Sequence, residues 1–384
     1  MAGTNPLFVR TVTGTIKRVY IPRTSWQSVF FWWNLRFQKL FAQIALRGIG
    51  IVYHIRRLFG ITTPPPWPTL PKGPQVWDFP PPAKVVNKLV ESGQERVFGQ
   101  WKHEESGWVM TTVSPPPTTT IQRTVFYIHG SGFMTPIIPW HWSLIGYLSR
   151  KLDAEVVVVP YPLGSNNPGQ EWRPALVSVY NEFVQRAGDK EIILAGDSAG
   201  AILSHGLAQE LHAAKLPLPH QLVAISPAFD LLLRNSAEMK AIEPYDNMLS
   251  VQYCHLSICS YAGVPVPLSA ALSSQIDKIA LPTEFTKNPC FSPIEGNPVI
   301  FRETGTKLII VNAEWDVLYA DSEPYVKKLG EAGVDVTCIV GQKQFHCFPV
   351  ALDVSPECRY GADIVIEAIL KNGEDFHQKK TSPE

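Results

Sequence analysis

The stretch that most constrains this chain is Glu191 to Gly200, Glu-Ile-Ile-Leu-Ala-Gly-Asp-Ser-Ala-Gly. Ile192 to Ala195 form a short apolar run with the length of a buried strand. Gly196, Ser198 and Gly200 follow as G-x-S-x-G, a pattern that places a serine on a sharp strand-to-helix turn with its hydroxyl at the sheet edge. Glycine suits both flanks because a side chain there would collide with the neighbouring strand or the following helix. Ile202, Leu203, Leu207 and Leu211 then recur at helical spacing from Ala199 to His212. Strand before and helix after give the motif the context its chemistry needs.

The same alternation runs through most of the chain. Apolar runs at Thr124–Ile128, Glu155–Val159, Ile192–Ala195, Leu222–Ile225, Leu308–Val311 and Val334–Val340 predict strands. Helices are predicted between or after them at Trp142–Leu152, Arg173–Arg186, Ala199–Ala214, Ser322–Glu331 and Gly361–Leu370. This order implies an α/β fold with a mostly parallel central sheet and helices on both faces. The interval from Asp230 to Phe301 is long, irregular and rich in Pro and Ser, so residues 230–301 are expected to form a lid insertion.

A serine hydroxyl becomes a useful nucleophile only when a base takes its proton and an acid orients that base. In sheets carrying the serine motif the acid follows the serine in the chain and the histidine comes last. The strand Leu308–Val311 leads into Asn312-Ala-Glu-Trp-Asp316, and the strand Val334–Val340 into Gly341-Gln-Lys-Gln-Phe-His346. Both stretches lie at the ends of parallel strands where such sheets place their sites. Glu314 and Asp321 compete with Asp316, the latter as a helix cap for Ser322–Glu331. Chain order excludes His129, His205 and His212 as the base. Earlier in the chain, His129-Gly-Ser-Gly-Phe133 ends the strand Thr124–Ile128 and resembles loops whose backbone N–H groups bind a developing negative charge. Ser131 stands where such loops have glycine, so the turn must tolerate a side chain.

Taken jointly, His129-Gly-Ser-Gly-Phe133, Gly196-Asp-Ser-Ala-Gly200, Asp316-Val-Leu-Tyr-Ala-Asp321 and His346 resemble the hormone-sensitive-lipase-like branch of the α/β hydrolases. Tyr161-Pro-Leu and Ser226-Pro-Ala-Phe-Asp230 are similar to two further segments of that branch, and the resemblance runs from about Gly99 to Leu370. It implies Ser198 as nucleophile, His346 as base and Asp316 as orienting acid. It also implies Gly130, Ser131 and Ala199 as oxyanion donors, with His129, Gly132, Gly196, Asp197 and Gly200 in support. The implied reaction is hydrolysis of a carboxylic ester through an acyl-enzyme, with no metal or organic cofactor. The same residues could serve an amidase, a formamidase or an acyltransferase. A binding protein that has lost its chemistry on this fold is the reading from a different class, and the presence of all three triad residues argues against it.

The N-terminal region is distinctive. Trp26 to Phe59 carries Phe30, Trp33, Phe37, Leu40, Phe41, Ile44 and Ile51 on one helical face and Arg36, Lys39, Gln43, Arg47 and His54 on the other. Charges interrupt every window long enough to span a bilayer. Two readings follow: a peripheral membrane contact through 26–59, or a lid built from this region together with the insertion. A proline-rich connector, 62–98, separates residues 1–61 from a catalytic domain at 99–384. This N-terminal half-pattern resembles the fungal steryl acetyl hydrolases, which implies a short acyl group on a lipophilic alcohol such as a sterol. Location at the endoplasmic reticulum membrane follows from that likeness, and otherwise the cytoplasm. Lys+Arg and Asp+Glu are both 34, so bulk charge gives no reason to expect nucleic acid. The six cysteines show no metal-ligand spacing, and no secretory leader is read in Met1 to Arg23.

Overall fold

The computed structural model describes residues 16–21, 25, 27, 31, 35–36, 72–73, 97–266 and 279–372. Among the described residues nine strands form one sheet: β1 (Ile16–Ile21), β2 (Val97–Lys102), β3 (Val109–Ser114), β4 (Arg123–Ile128), β5 (Ala154–Val158), β6 (Glu191–Asp197), β7 (Gln221–Ile225), β8 (Lys307–Ala313) and β9 (Val336–Gly341). Their order is β1-β9-β8-β7-β6-β4-β5-β3-β2, and only the pairings of β2 with β3 and of β3 with β5 are antiparallel. The expected mostly parallel sheet is therefore present.

Side chains on successive strand residues point to opposite faces, and both faces are apolar here. In β4, Phe126 and Ile128 join one core while Val125 and Tyr127 join the other. In β6, Ile192 and Leu194 divide from Ile193 and Ala195 in the same way. Helix α1 (Pro139–Leu152) covers the second face, while α2 (Gly169–Ala187) and α3 (Ala199–Ala213) cover the first.

Between β7 and β8 the insertion is more regular than its composition suggests. It contains α4 (Ser236–Ile242), α5 (Val251–Ala262), the short α6 (Thr283–Thr286) and α7 (Val299–Thr304). Ser250 and Gly263 of this stretch mark helix ends rather than loop. Ser250 accepts the Tyr253 N–H at 3.1 Å as the N-cap of α5, and Gly263 closes that helix at a positive φ. The last helices are α8 (Tyr319–Glu331) and α9 (Pro356–Leu370). Because α8 starts at Tyr319, Asp321 lies inside its first turn and is not the cap expected from the sequence.

Residues 16–21, inside the segment 1–61, are part of the sheet. β1 lies within 1–61 yet pairs in parallel along the whole of β9, with Val19 and Ile21 fully buried. Burying such a side chain contributes about 1.5–3 kcal/mol, so removing 1–61 would damage the sheet. Most of 26–59 and of the 62–98 connector lies outside the described residues. Of that stretch, Gln27, Phe31, Leu35 and Arg36 are helical. Phe31 packs on Phe345 and Trp140 at 5.1 and 5.7 Å between ring centres, Leu35 is buried in the second core, and Arg36 donates to the Pro244 carbonyl at 2.8 Å. Among the described residues, no helix is long and apolar enough to cross a membrane.

Candidate active site

Ser198 joins β6 to α3 at φ 50° and ψ −119°, a strained conformation for a residue with a side chain. Tight packing imposes it. A Cβ on Gly196 would come within 2.5 Å of the Gly200 backbone, and one on Gly200 within 1.9 Å of the Ile128 carbonyl oxygen. The two flanking glycines thus let β6, α3 and β4 meet, which is the reason inferred from the motif.

Asp316 and His346 follow β8 and β9 and meet at the same end of the sheet. His346 Nδ1 donates to Asp316 Oδ2 at 2.7 Å, and both residues are buried. Asp316 Oδ1 accepts the Leu318 N–H at 3.0 Å, which fixes the carboxylate. Burial disfavours the imidazolium, but the adjacent Asp316 charge outweighs it and holds His346 well above the ordinary histidine range. The two rival acids are engaged elsewhere. Glu314 accepts the Lys343 N–H at 3.1 Å, and Asp321 accepts from the Asn235 side chain at 3.2 Å. Burial pushes the Asp321 carboxyl up to about 7.

The remaining nitrogen of His346, Nε2, faces the Cys347 thiol at 3.4 Å rather than hydrogen-bonding Ser198 Oγ. Catalytic hydrogen bonds are commonly long without substrate and tighten when it binds. Cys347 sits at φ 56° and donates its N–H to Ser226 Oγ at 2.9 Å. Ser226 of the Ser-Pro-Ala-Phe-Asp segment therefore pins the turn that carries the base.

One assigned oxyanion donor is corrected. The Gly130 N–H is donated to Asp197 Oδ1 at 3.0 Å, so it is engaged by the residue preceding Ser198. Glycine is required at 130 because a Cβ there would lie 2.3 Å from Asp197 Oδ2. Asp197 also accepts Tyr127 Oη at 2.6 Å and His141 Nε2 at 3.1 Å. Burial raises its pKa, but His141 and these hydrogen bonds outweigh burial and bring it down to about 2. The next two N–H groups of the loop are those of Ser131 and Gly132, and Gly132 lines the same recess as Ser198 and Ala199. Ser131 adopts φ 91°, and its hydroxyl bonds the Gly130 and Thr135 carbonyls, which explains how the turn accepts a side chain. His129 is fully buried, donates Nδ1 to the Gly130 carbonyl at 2.7 Å and stacks on Tyr161 at 4.8 Å. Burial and neighbouring His141 drive its pKa down to about 3, so it is a neutral support. Tyr161 Oη donates to the His129 and Gly130 carbonyls at 2.9 and 3.1 Å.

Beside Ser198 a small recess of about 40 Å³ is lined by Gly132, Phe133, Ala199, Ile202, Ala228, Leu233 and Leu318, and by Tyr253, Cys254, Ser257 and Ile258 of α5. The roles of His141, Cys347 and the α5 lining carry no chain-order signal, and sequence reasoning missed them.

Residues 125–350 match a family described by its alpha/beta hydrolase fold. An esterase of Acinetobacter venetianus is 28% identical over 215 residues, covering 56% of this chain and 63% of that protein. Esterase LipU of Mycobacterium tuberculosis is 31% identical over 247 residues, covering 63% of this chain and 75% of LipU. The crystal structure of an esterase/lipase from an uncultured bacterium superposes with a TM-score of 0.62 at 20% identity, covering 91% of this chain and 99% of that one. The chain belongs to the α/β hydrolase family and is of its esterase and lipase type.

Proposed function

We propose that the protein is a serine carboxylic ester hydrolase that removes a short acyl group, acetyl first among them, from a lipophilic alcohol such as a sterol. The observation that carries this reading is the buried His346–Asp316 pair at 2.7 Å, at the sheet end where Ser198 is presented. His346 Nε2 turns from the Cys347 thiol to take the Ser198 proton as Oγ attacks the ester carbonyl. Asp316 holds Nδ1 protonated and stabilises the imidazolium. The N–H groups of Ser131, Gly132 and Ala199 take the developing negative charge. His346 then returns its proton to the departing alkoxide, and water clears the acyl-enzyme by the same route.

The recess supports the acyl length. Its 40 Å³ compares with roughly 10–15 Å³ for one water on the same measure, enough for an acetyl or propionyl group and too little for a long chain. Among p-nitrophenyl esters, kcat/KM is expected to peak at acetate or propionate and to fall by roughly tenfold per two or three added methylenes. A rising series to octanoate or beyond would remove the short-acyl reading.

The lipophilic alcohol rests on the N-terminal resemblance, and with it a peripheral membrane contact through 26–59. Phe31 and Leu35 pack on the catalytic domain, so a contact of this kind would hold the domain close to the bilayer. The intact chain is expected to co-sediment with vesicles containing anionic lipid, and less so as salt screens the basic residues. No sedimentation at low salt would count against the membrane contact while leaving the hydrolase reading in place.

A further inference from the structure

The insertion supplies the acid turn with a residue that neither motif nor chain order marks. Asp246 lies between α4 and α5 and is 1% exposed. Its Oδ1 accepts the Met248 and Leu249 N–H groups, both at 2.8 Å, which closes its own turn. Its Oδ2 reaches across to the Val317 N–H at 2.9 Å. Val317 follows Asp316, and the next N–H, that of Leu318, goes to Asp316 Oδ1 at 3.0 Å. Two consecutive N–H groups of the acid turn are therefore divided between two buried carboxylates. One carboxylate belongs to the turn and the other to the insertion.

We propose that Asp246 is a positioning residue for the triad: it locks the insertion onto the turn that carries Asp316 and sets a second negative charge near the His346–Asp316 pair. The proposal rests on the triad reading above. Three N–H donors favour its ionised form, while burial and the Asp316 charge oppose it; burial dominates, and the carboxyl is pushed up to about 6. Each of the three described contacts to its oxygens comes from an N–H donor, the pattern of an ionised carboxylate. A negative charge near His346 favours the imidazolium that forms as serine attacks. Cys254 of α5 also faces the Asp246 charge, and its thiol is held well above its ordinary range chiefly by burial; Glu243, near Cys254, accepts the Val251 N–H at 3.1 Å.

The test compares Asp246→Asn, Asp246→Glu and Asp246→Ala in the intact chain, with kcat and KM measured separately on p-nitrophenyl acetate across the acid limb. Each variant's thermal melt reports folding. Asp246→Asn keeps one acceptor but turns an amide N–H toward Val317. It is expected to lower kcat roughly tenfold with a much smaller change in KM. Its acid limb in kcat/KM should move to lower pH, because His346 loses one of two negative neighbours. Asp246→Glu retains the charge and misplaces the oxygens, so kcat should fall while the limb moves less. Asp246→Ala should cost the most and, if it does not fold, the other two variants decide. A folded Asp246→Asn protein with wild-type kcat and an unmoved limb would overturn the proposal. Activity surviving in Ser198→Ala would instead overturn the triad, whatever Asp246 does.

Discussion

Replacing Ser198 with alanine is expected to remove ester hydrolysis, by roughly a million-fold in kcat, while leaving the fold intact. The size follows from chemistry. Without Oγ there is no acyl-enzyme, and His346 has no proton to take. What remains is the background supplied by the oxyanion donors and by binding. Stability should change little, because serine and alanine both carry a Cβ at the strained φ of 50° and no described hydrogen bond uses Ser198 Oγ as donor or acceptor. Turnover of p-nitrophenyl acetate, paired with a thermal melt, checks both halves. A folded variant hydrolysing at wild-type rate would end the mechanism proposed here.

The second large effect concerns the acid. Asp316→Asn keeps the shape of the side chain but lets its amide donate toward Nδ1, which favours the wrong imidazole tautomer. A loss of roughly 10⁴-fold in kcat with a modest change in KM is expected. Asp321→Asn should differ from wild type by far less, because that carboxylate bonds Asn235 and not His346. Glu314→Gln should likewise have little effect, since Glu314 accepts a backbone N–H from Lys343. Kinetics on the three purified variants give the ranking. If Asp321→Asn or Glu314→Gln proved the more damaging, the orienting acid would have been misassigned.

Local signals account for much of what could be read before any coordinates. Apolar runs at Thr124–Ile128 and Ile192–Ala195 became β4 and β6 because buried parallel strands need side chains acceptable to two cores. The glycines around Ser198 announced the tight turn for the steric reason the structure shows. Chain order alone brought Asp316 and His346 to the same sheet end, since each follows a strand in one parallel set. Other parts failed for equally local reasons. Ile16–Ile21 follows a polar stretch and precedes an aromatic helix pattern, so nothing nearby marks it as an edge strand of the sheet, paired with β9 far along the chain.

By itself, then, the sequence determined the alternating architecture and the serine turn, and it placed Asp316 and His346 after strands of one parallel set, because each depends on short-range periodicity, backbone sterics or strand order. Tertiary structure alone decided which backbone donors stay available, which acid meets the histidine and what the insertion contributes. Gly130 gives its N–H to Asp197, 67 residues away, and Asp246 holds Val317, 71 residues away. A hydrogen bond between such distant residues leaves no spacing to read. It exists only once the sheet has brought β4, β6, β8 and the insertion to one edge.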